Sequence, residues 1–166
     1  MKLMWKSVSD LVNSRFSEVP KDDSGVYAVR WSKQEKPVEI QRLGGTDKAG
    51  ILYIGSAKKL QRRIRALCNG INGKGGHTIG RTLTFCKLRG TILPDECQVA
   101  WKSMKTHDIA LGQEWTAICD YSQKFKEPPP LNLELNRMKF ALAGLAVVGR
   151  SRIVYEADDF VVSLFK

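Results

Sequence analysis

Two short apolar runs and the segment that follows them restrict this chain more than any other feature. Gly25-Val-Tyr-Ala-Val-Arg-Trp31 and Ile51-Leu-Tyr-Ile54 are rich in β-branched and aromatic residues, the composition of strands. After Gly55-Ser56 the spacing changes: between Ala57 and Cys68 the apolar residues Leu60, Ile64, Leu67 and Cys68 recur at i, i+4, i+7 and i+8, one stripe of an amphipathic helix. A switch of period from two to 3.6 requires strands and a helix covering one another's apolar faces, which is the layer logic of a mixed fold.

The remaining segments extend that reading. Ser9 or Asp10 can cap a short helix reaching about Ser17, with Leu11, Val12 and Phe16 as its apolar contacts. Pro20 to Gly25 reads as a turn, Val38 to Leu43 as a second, edge strand, and Gly44-Gly45 and Asp47 to Gly50 as punctuation. The first three strands are spaced as a hairpin followed by a third partner. Asn69 to Gly76, with four glycines in eight residues, reads as a loop, and Thr82–Leu88 and Glu96–Trp101 as further strands. A helix opens at Thr106 or His107 and runs to about Phe125 on Leu111, Trp115, Ile118, Tyr121 and Phe125. Pro128-Pro129-Pro130 ends it, because proline has no amide hydrogen and clashes with the preceding turn. The tail is expected to hold a helix at 136–147 and strands at 152–155 and 160–164. The expectation is an α+β fold: a small, mostly antiparallel sheet of about three core strands plus extra strands, flanked by helices. A length of 166 residues fits one domain, with an N-terminal helical part over about 1–20 and an extension over about 133–166.

Charge is distributed unevenly. The chain carries 27 Lys and Arg against 17 Asp and Glu, a net +10. Residues 1–50 contribute +2, residues 51–105 contribute +9, residues 106–133 contribute −2 and residues 134–166 contribute +1. Between Ile51 and Gly90 there are nine bases and no acid. A patch of this kind suits a polyanion, since neutralising phosphates releases condensed counterions; the alternative is a solvated basic face.

Cys68, Cys86, Cys97 and Cys119 form no CxxC pair, and with only two histidines the sequence has no zinc-finger or zinc-ribbon spacing. Reduced thiols are the expectation. The longest apolar run, Phe140 to Val148, is interrupted by Gly144 and falls well short of the roughly 20 residues of a membrane span. Met1 to Lys6 has no apolar core of a secretory signal, so a cytoplasmic location is expected.

Tyr27 and Tyr53 lie on adjacent predicted strands, each beside a glycine, and Arg63 follows Tyr53 by ten positions at the margin of the helix stripe. Glu114 falls between Leu111 and Ile118 at helical spacing, and a carboxylate on an apolar face requires a partner or a metal. Asn132 follows the prolines. Gly25-Val-Tyr27, Tyr53-Ile-Gly55, Lys58-Lys-Leu-Gln-Arg-Arg63, Glu114 and Pro-Leu-Asn132, in this order, resemble the GIY-YIG nuclease family over about residues 24–132. His77-Thr-Ile-Gly-Arg81 resembles an insertion of its restriction-type members. Two departures stand out. Where many members carry His or Tyr one helical turn after the arginine, this chain has Leu67, so the associated acid or base role is absent or moves to His77. The stretch from Glu114 to Asn132 is long, which makes Asn136 a second candidate.

The resemblance implies a Mg²⁺-dependent endonuclease acting on DNA, with Mn²⁺ as a substitute cofactor. Glu114 would give Mg²⁺ its one protein carboxylate, Arg63 would clamp the scissile phosphate, and Tyr27 and Tyr53 would position and deprotonate water, Tyr27 being favoured as base. Since free tyrosine titrates near 10, that role needs positive charge nearby, from Arg63, Lys58 or the metal. Lys58, Lys59, Arg62, Arg65, Lys74, Arg81, Lys87 and Arg89 are candidate contacts to the DNA backbone, and His107 is assigned none. Three alternatives remain: a DNA-binding module that kept the scaffold and lost the chemistry, a structure-specific repair or recombination nuclease, and a basic protein-interaction domain. The short chain favours a compact, restriction-like enzyme. Cutting both strands with one site per chain would require a homodimer or tetramer, for which 140–148 is a candidate interface.

Overall fold

A computed structural model describes residues 3–132 and 159–164. The fold is α+β with a mostly antiparallel sheet. In chain order the elements are β1 (Lys6–Ser7), α1 (Val8–Asn13), β2 (Ser24–Lys33), β3 (Lys36–Pro37), β4 (Ile40–Arg42), β5 (Gly45–Asp47), β6 (Ile51–Ala57), α2 (Leu60–Ile71), α3 (Thr78–Phe85), a 3₁₀ turn (Pro94–Glu96), β7 (Cys97–Met104) and α4 (His107–Phe125), with a last short helix at Asp159–Leu164.

β2 is the central strand. It pairs antiparallel with β6 on one side, Tyr27 opposite Gly55, and with β7 on the other, Tyr27 opposite Trp101. β1 continues the sheet beyond β7, and β3 folds back on the end of β2. Strand alternation then divides the molecule in two. One face of the sheet carries Tyr27, Val29, Tyr53 and Val99 against Leu60, Ile64 and Leu67 of α2, Ile79 and Leu83 of α3, and Leu11 of α1. The other carries Val26, Ala28, Ile54 and Ala100 against Ala117, Tyr121 and Phe125 of α4 and Phe160, Val161 and Leu164 of the last helix.

Several sequence expectations are corrected. The strand expected at Thr82–Leu88 is the C-terminal half of α3 and the turn after it: Ile79, Thr82 and Leu83 bury one helical face against α2, and the His77 ring caps the helix by accepting from the Ile79 amide. The strand expected at 160–164 is helical, its buried Phe160, Val161 and Leu164 keeping i, i+1, i+4 spacing. The segment 38–43 contributes only β4, which pairs with β5 in a separate ladder; the hairpin with β2 is confined to β3 and the Val38 amide, which donates to the Trp31 carbonyl at 3.0 Å. α2 continues to Ile71, through the first residues of the expected glycine loop, because buried Gly70 is the crossing point with α3. α1 is shorter than expected and is capped by Ser7. α4 buries Ala110, Gln113, Glu114, Ala117, Tyr121 and Phe125, whereas Leu111 is exposed; Tyr121 and Phe125 are buried as expected, and the first part of the stripe is rotated by one residue. The expected helix at 136–147, the expected strand at 152–155, the candidate interface 140–148 and Asn136 lie outside the described residues. Among the described residues, no helix is long and apolar enough to cross a membrane.

Candidate active site

The pairing of β2 with β6 places Tyr27 and Tyr53 on the α2 face. Their rings stack with centroids 6.1 Å apart and planes inclined at 29°. Gly55 makes this possible: a Cβ there would sit 2.6 Å from the Tyr27 hydroxyl oxygen and 2.8 Å from Cε1 of Tyr53. Gly25 serves the layer behind, where a Cβ would collide with the Lys102 carbonyl and the Leu60 side chain. The two motif glycines thus act by leaving space at a close approach, not by adopting positive φ.

Arg63 projects from α2 and donates from Nε to the Tyr27 hydroxyl at 3.0 Å. Tyr27 is wholly buried, and that burial pushes its hydroxyl well above the usual tyrosine value; the negative charges of Tyr53 and Glu114 push the same way, and Arg63 only partly offsets them. At this hydroxyl desolvation outweighs the arginine. The Arg63 guanidinium, held by hydrogen bonds and charge from both tyrosines against its own desolvation, is pushed up.

Glu114 is buried on α4 and accepts a short hydrogen bond from the Ser56 hydroxyl. Ser56 directly follows the Tyr53-Ile-Gly55 motif and was not singled out from sequence, although its place on the strand next to Gly55 was a usable signal. His77 is buried too, and its ring meets the Tyr53 ring edge-on at 5.9 Å. Because Nδ1 accepts from the Ile79 amide at 3.2 Å, a neutral His77 carries its proton on Nε2. Leu67 is fully buried in the core.

Asn132 does something different from the other candidates. Its Oδ1 accepts from the Ile54 amide at 2.9 Å and its Nδ2 donates to the Ile54 carbonyl at 2.8 Å. The neighbouring Leu131 amide donates to the Leu52 carbonyl at 2.8 Å. The side chain thus imitates a paired strand along the outer edge of β6 and fixes the backbone between Tyr53 and Gly55.

Of the eight basic candidates, Lys58, Lys59, Arg62, Arg65, Lys74, Arg81 and Lys87 are exposed. Lys59 pairs with Asp22 at 3.0 Å, and Arg65 lies 5.2 Å from the Phe16 ring centroid. Arg89 is a correction: its guanidinium donates to the carbonyls of Gly70, Ile71 and Gly80 and to the Thr84 hydroxyl, so it ties α2 to α3 and four of its five donors are used within the protein.

A second buried cluster was also not foreseen. Asp47, 1% exposed, accepts from the amides of Ala49, Gly50 and Ile51 and from the Tyr121 hydroxyl. These bonds offset the cost of burying the charge and pin α4 beside the start of β6. On the same side of the sheet an open concavity of about 1370 Å³ is lined by Trp5, Arg30, Glu96 and Gln98 among others. Arg30 stacks 4.4 Å over Trp5 and donates to Gln98, and none of the tyrosine-site residues lines this space.

Glu114 suits Mg²⁺ in donor type, a hard carboxylate oxygen held in place by Ser56. Compared with protein-family models, curated proteins and solved structures, the chain matches none of them.

Proposed function

We propose that the chain is a Mg²⁺-dependent endonuclease that hydrolyses phosphodiester bonds in DNA, with the site organised as in the GIY-YIG nucleases it resembles. The observation that carries this reading is the contact between Arg63 and the Tyr27 hydroxyl with Tyr53 stacked alongside: residues from two strands and a helix meet in one cluster, beside a basic helix.

Arg63 has the planar donor fork suited to a phosphate, and its contact with Tyr27 fixes the angle of that fork. Tyr27, held as a phenol by its burial, accepts from Arg63 and would position that guanidinium rather than meet water itself. Tyr53 stacks on Tyr27 within the buried layer, and its ring is braced by His77. Ser56 fixes the Glu114 carboxylate, which would hold the metal. Bound there, Mg²⁺ would neutralise charge on the phosphate and offset the push of Glu114 on Tyr27. Exposed Lys58, Lys59, Arg62 and Arg65 continue the positive surface along α2, where they would track the DNA backbone.

A nicking assay on supercoiled plasmid, with Mg²⁺ and with EDTA, tests this. Cleavage that needs the metal and is abolished by Glu114→Gln, with DNA binding preserved, supports the reading; strong binding without cleavage of any DNA substrate overturns it. The second reading, a binding module without catalysis, is favoured by one observation: buried Leu67 occupies the helical turn after Arg63 where related enzymes place His or Tyr.

A further inference from the structure

Phe85, the last residue of α3, is 87% exposed. α3 packs its other face on α2 through Ile79, Thr82 and Leu83, so Phe85 projects outward. Arg81 lies one helical turn before it on the same face, and Lys87 follows two residues later. Both are exposed, as is Lys74 in the preceding loop, and no acid occurs between Asp47 and Asp95. A large bare aromatic ring flanked by exposed bases and no acid has the chemistry to meet a polyanion with stackable planar groups.

α3 is also held rigidly. A Cβ on Gly80 would sit 2.5 Å from the Gly70 carbonyl oxygen, so the two helices cross backbone to backbone. Arg89 bonds both sides of that crossing. The start of the helix is set by His77 against Tyr53. At a rise of about 1.5 Å per residue, Phe85 lies roughly 12 Å along the helix axis from His77, or about four base pairs of duplex.

We infer that Phe85 is a wedge that inserts between neighbouring base pairs of DNA a few steps from the scissile phosphate, with Arg81, Lys87 and Lys74 holding the flanking phosphates. This rests on the endonuclease reading for its substrate and extends it to how the duplex is deformed. Inserted apolar side chains partly unstack a step and kink the duplex, and base–aromatic stacking supplies affinity without requiring a particular base.

The test uses the full chain and a mixed-sequence plasmid fragment. Permanganate oxidation of unstacked thymines is read with Ca²⁺ present, and the cut position is mapped on the same fragment with Mg²⁺. The wild-type chain is expected to create reactive thymines within about five base pairs of the cut. Phe85→Ala should abolish them and weaken binding about tenfold, Phe85→Trp should retain both, and thermal stability should not change. Unchanged permanganate reactivity and affinity in Phe85→Ala overturn the wedge, as does a change confined to self-association of the chain. If the wild-type chain binds and cuts while Phe85→Ala gives the same footprint, the wedge alone fails. If it binds and shows Phe85-dependent unstacking but never cuts, the wedge stands and the endonuclease reading fails. If it binds no duplex, both fail.

Discussion

A methyl group on Gly55 would lie 2.6 Å from the hydroxyl oxygen of Tyr27, the residue opposite it across the β2–β6 pair. The glycine of the second motif therefore exists for the tyrosine of the first. Gly55→Ala should displace the Tyr27 hydroxyl from Arg63 and cost about 1–3 kcal/mol of stability by overpacking. Denaturant unfolding measures the cost. If the proposed chemistry holds, cleavage should fall far more than DNA affinity, and a variant as active and as stable as the wild type would refute the close-approach argument.

Asn132→Ala removes both hydrogen bonds to Ile54 and leaves the outer edge of β6 unpaired there. A loss of about 1–3 kcal/mol is expected, together with faster amide exchange at Ile54. Because the residue positions the strand and touches no reacting group in this arrangement, weaker cleavage should track the loosening of β6.

Arg89 and Arg62 belong to the same basic stretch and should behave differently. Arg89→Ala breaks the bonds joining α2 to α3 and should cost roughly 2–4 kcal/mol. Arg62→Ala should leave stability unchanged within about 0.5 kcal/mol and reduce the dependence of DNA affinity on salt by about one ion. Melting curves and binding titrations at several salt concentrations separate the two roles.

Alkaline pH should destabilise the fold. Burial pushes the thiols of Cys68 and Cys97 up to about 12, and pushes the Tyr27 hydroxyl well above its ordinary value. For each group the folded pKa exceeds the unfolded one, so the stabilisation is complete below the unfolded pKa and is lost as pH rises toward the folded one. For the thiols that window runs from about 9 to about 12. Unfolding free energy measured across it should fall, and Cys97→Ala should flatten the decline. At neutral pH a thiol reagent should modify exposed Cys86 while Cys68 and Cys97 stay protected until the chain unfolds.

The outline of the fold was legible where local pattern and burial agree. The β2, β6 and α2 segments could be read from period alone, and α4 from its caps and the proline stop. The reading failed where a short β-branched stretch had two outlets. Thr82 to Leu88 has strand composition, but its apolar spacing also fits one helical face, and only the α2 surface beneath it decides. The edge strand expected at 38–43 turned away because the neighbour it would need beside β2 is β6. For the candidate site, order and spacing brought out Tyr27, Tyr53, Arg63, Glu114, His77 and Asn132, and the structure places Arg63 and Tyr53 against Tyr27, with His77 against the far side of the pair on Tyr53.

The sequence alone determined that a strand pair would be followed by a basic amphipathic helix, because alternation and helical period are local properties of the chain. It also located the positive charge. Only the tertiary structure decided what each polar group is used for. Burial raises the Tyr27 hydroxyl instead of lowering it, Asn132 is consumed by the backbone of Ile54, Arg89 is consumed by two helix ends, and Ser56 is recruited to Glu114. The reason is physical: desolvation and hydrogen-bond pairing depend on neighbours far apart in the chain, and no window of sequence contains them.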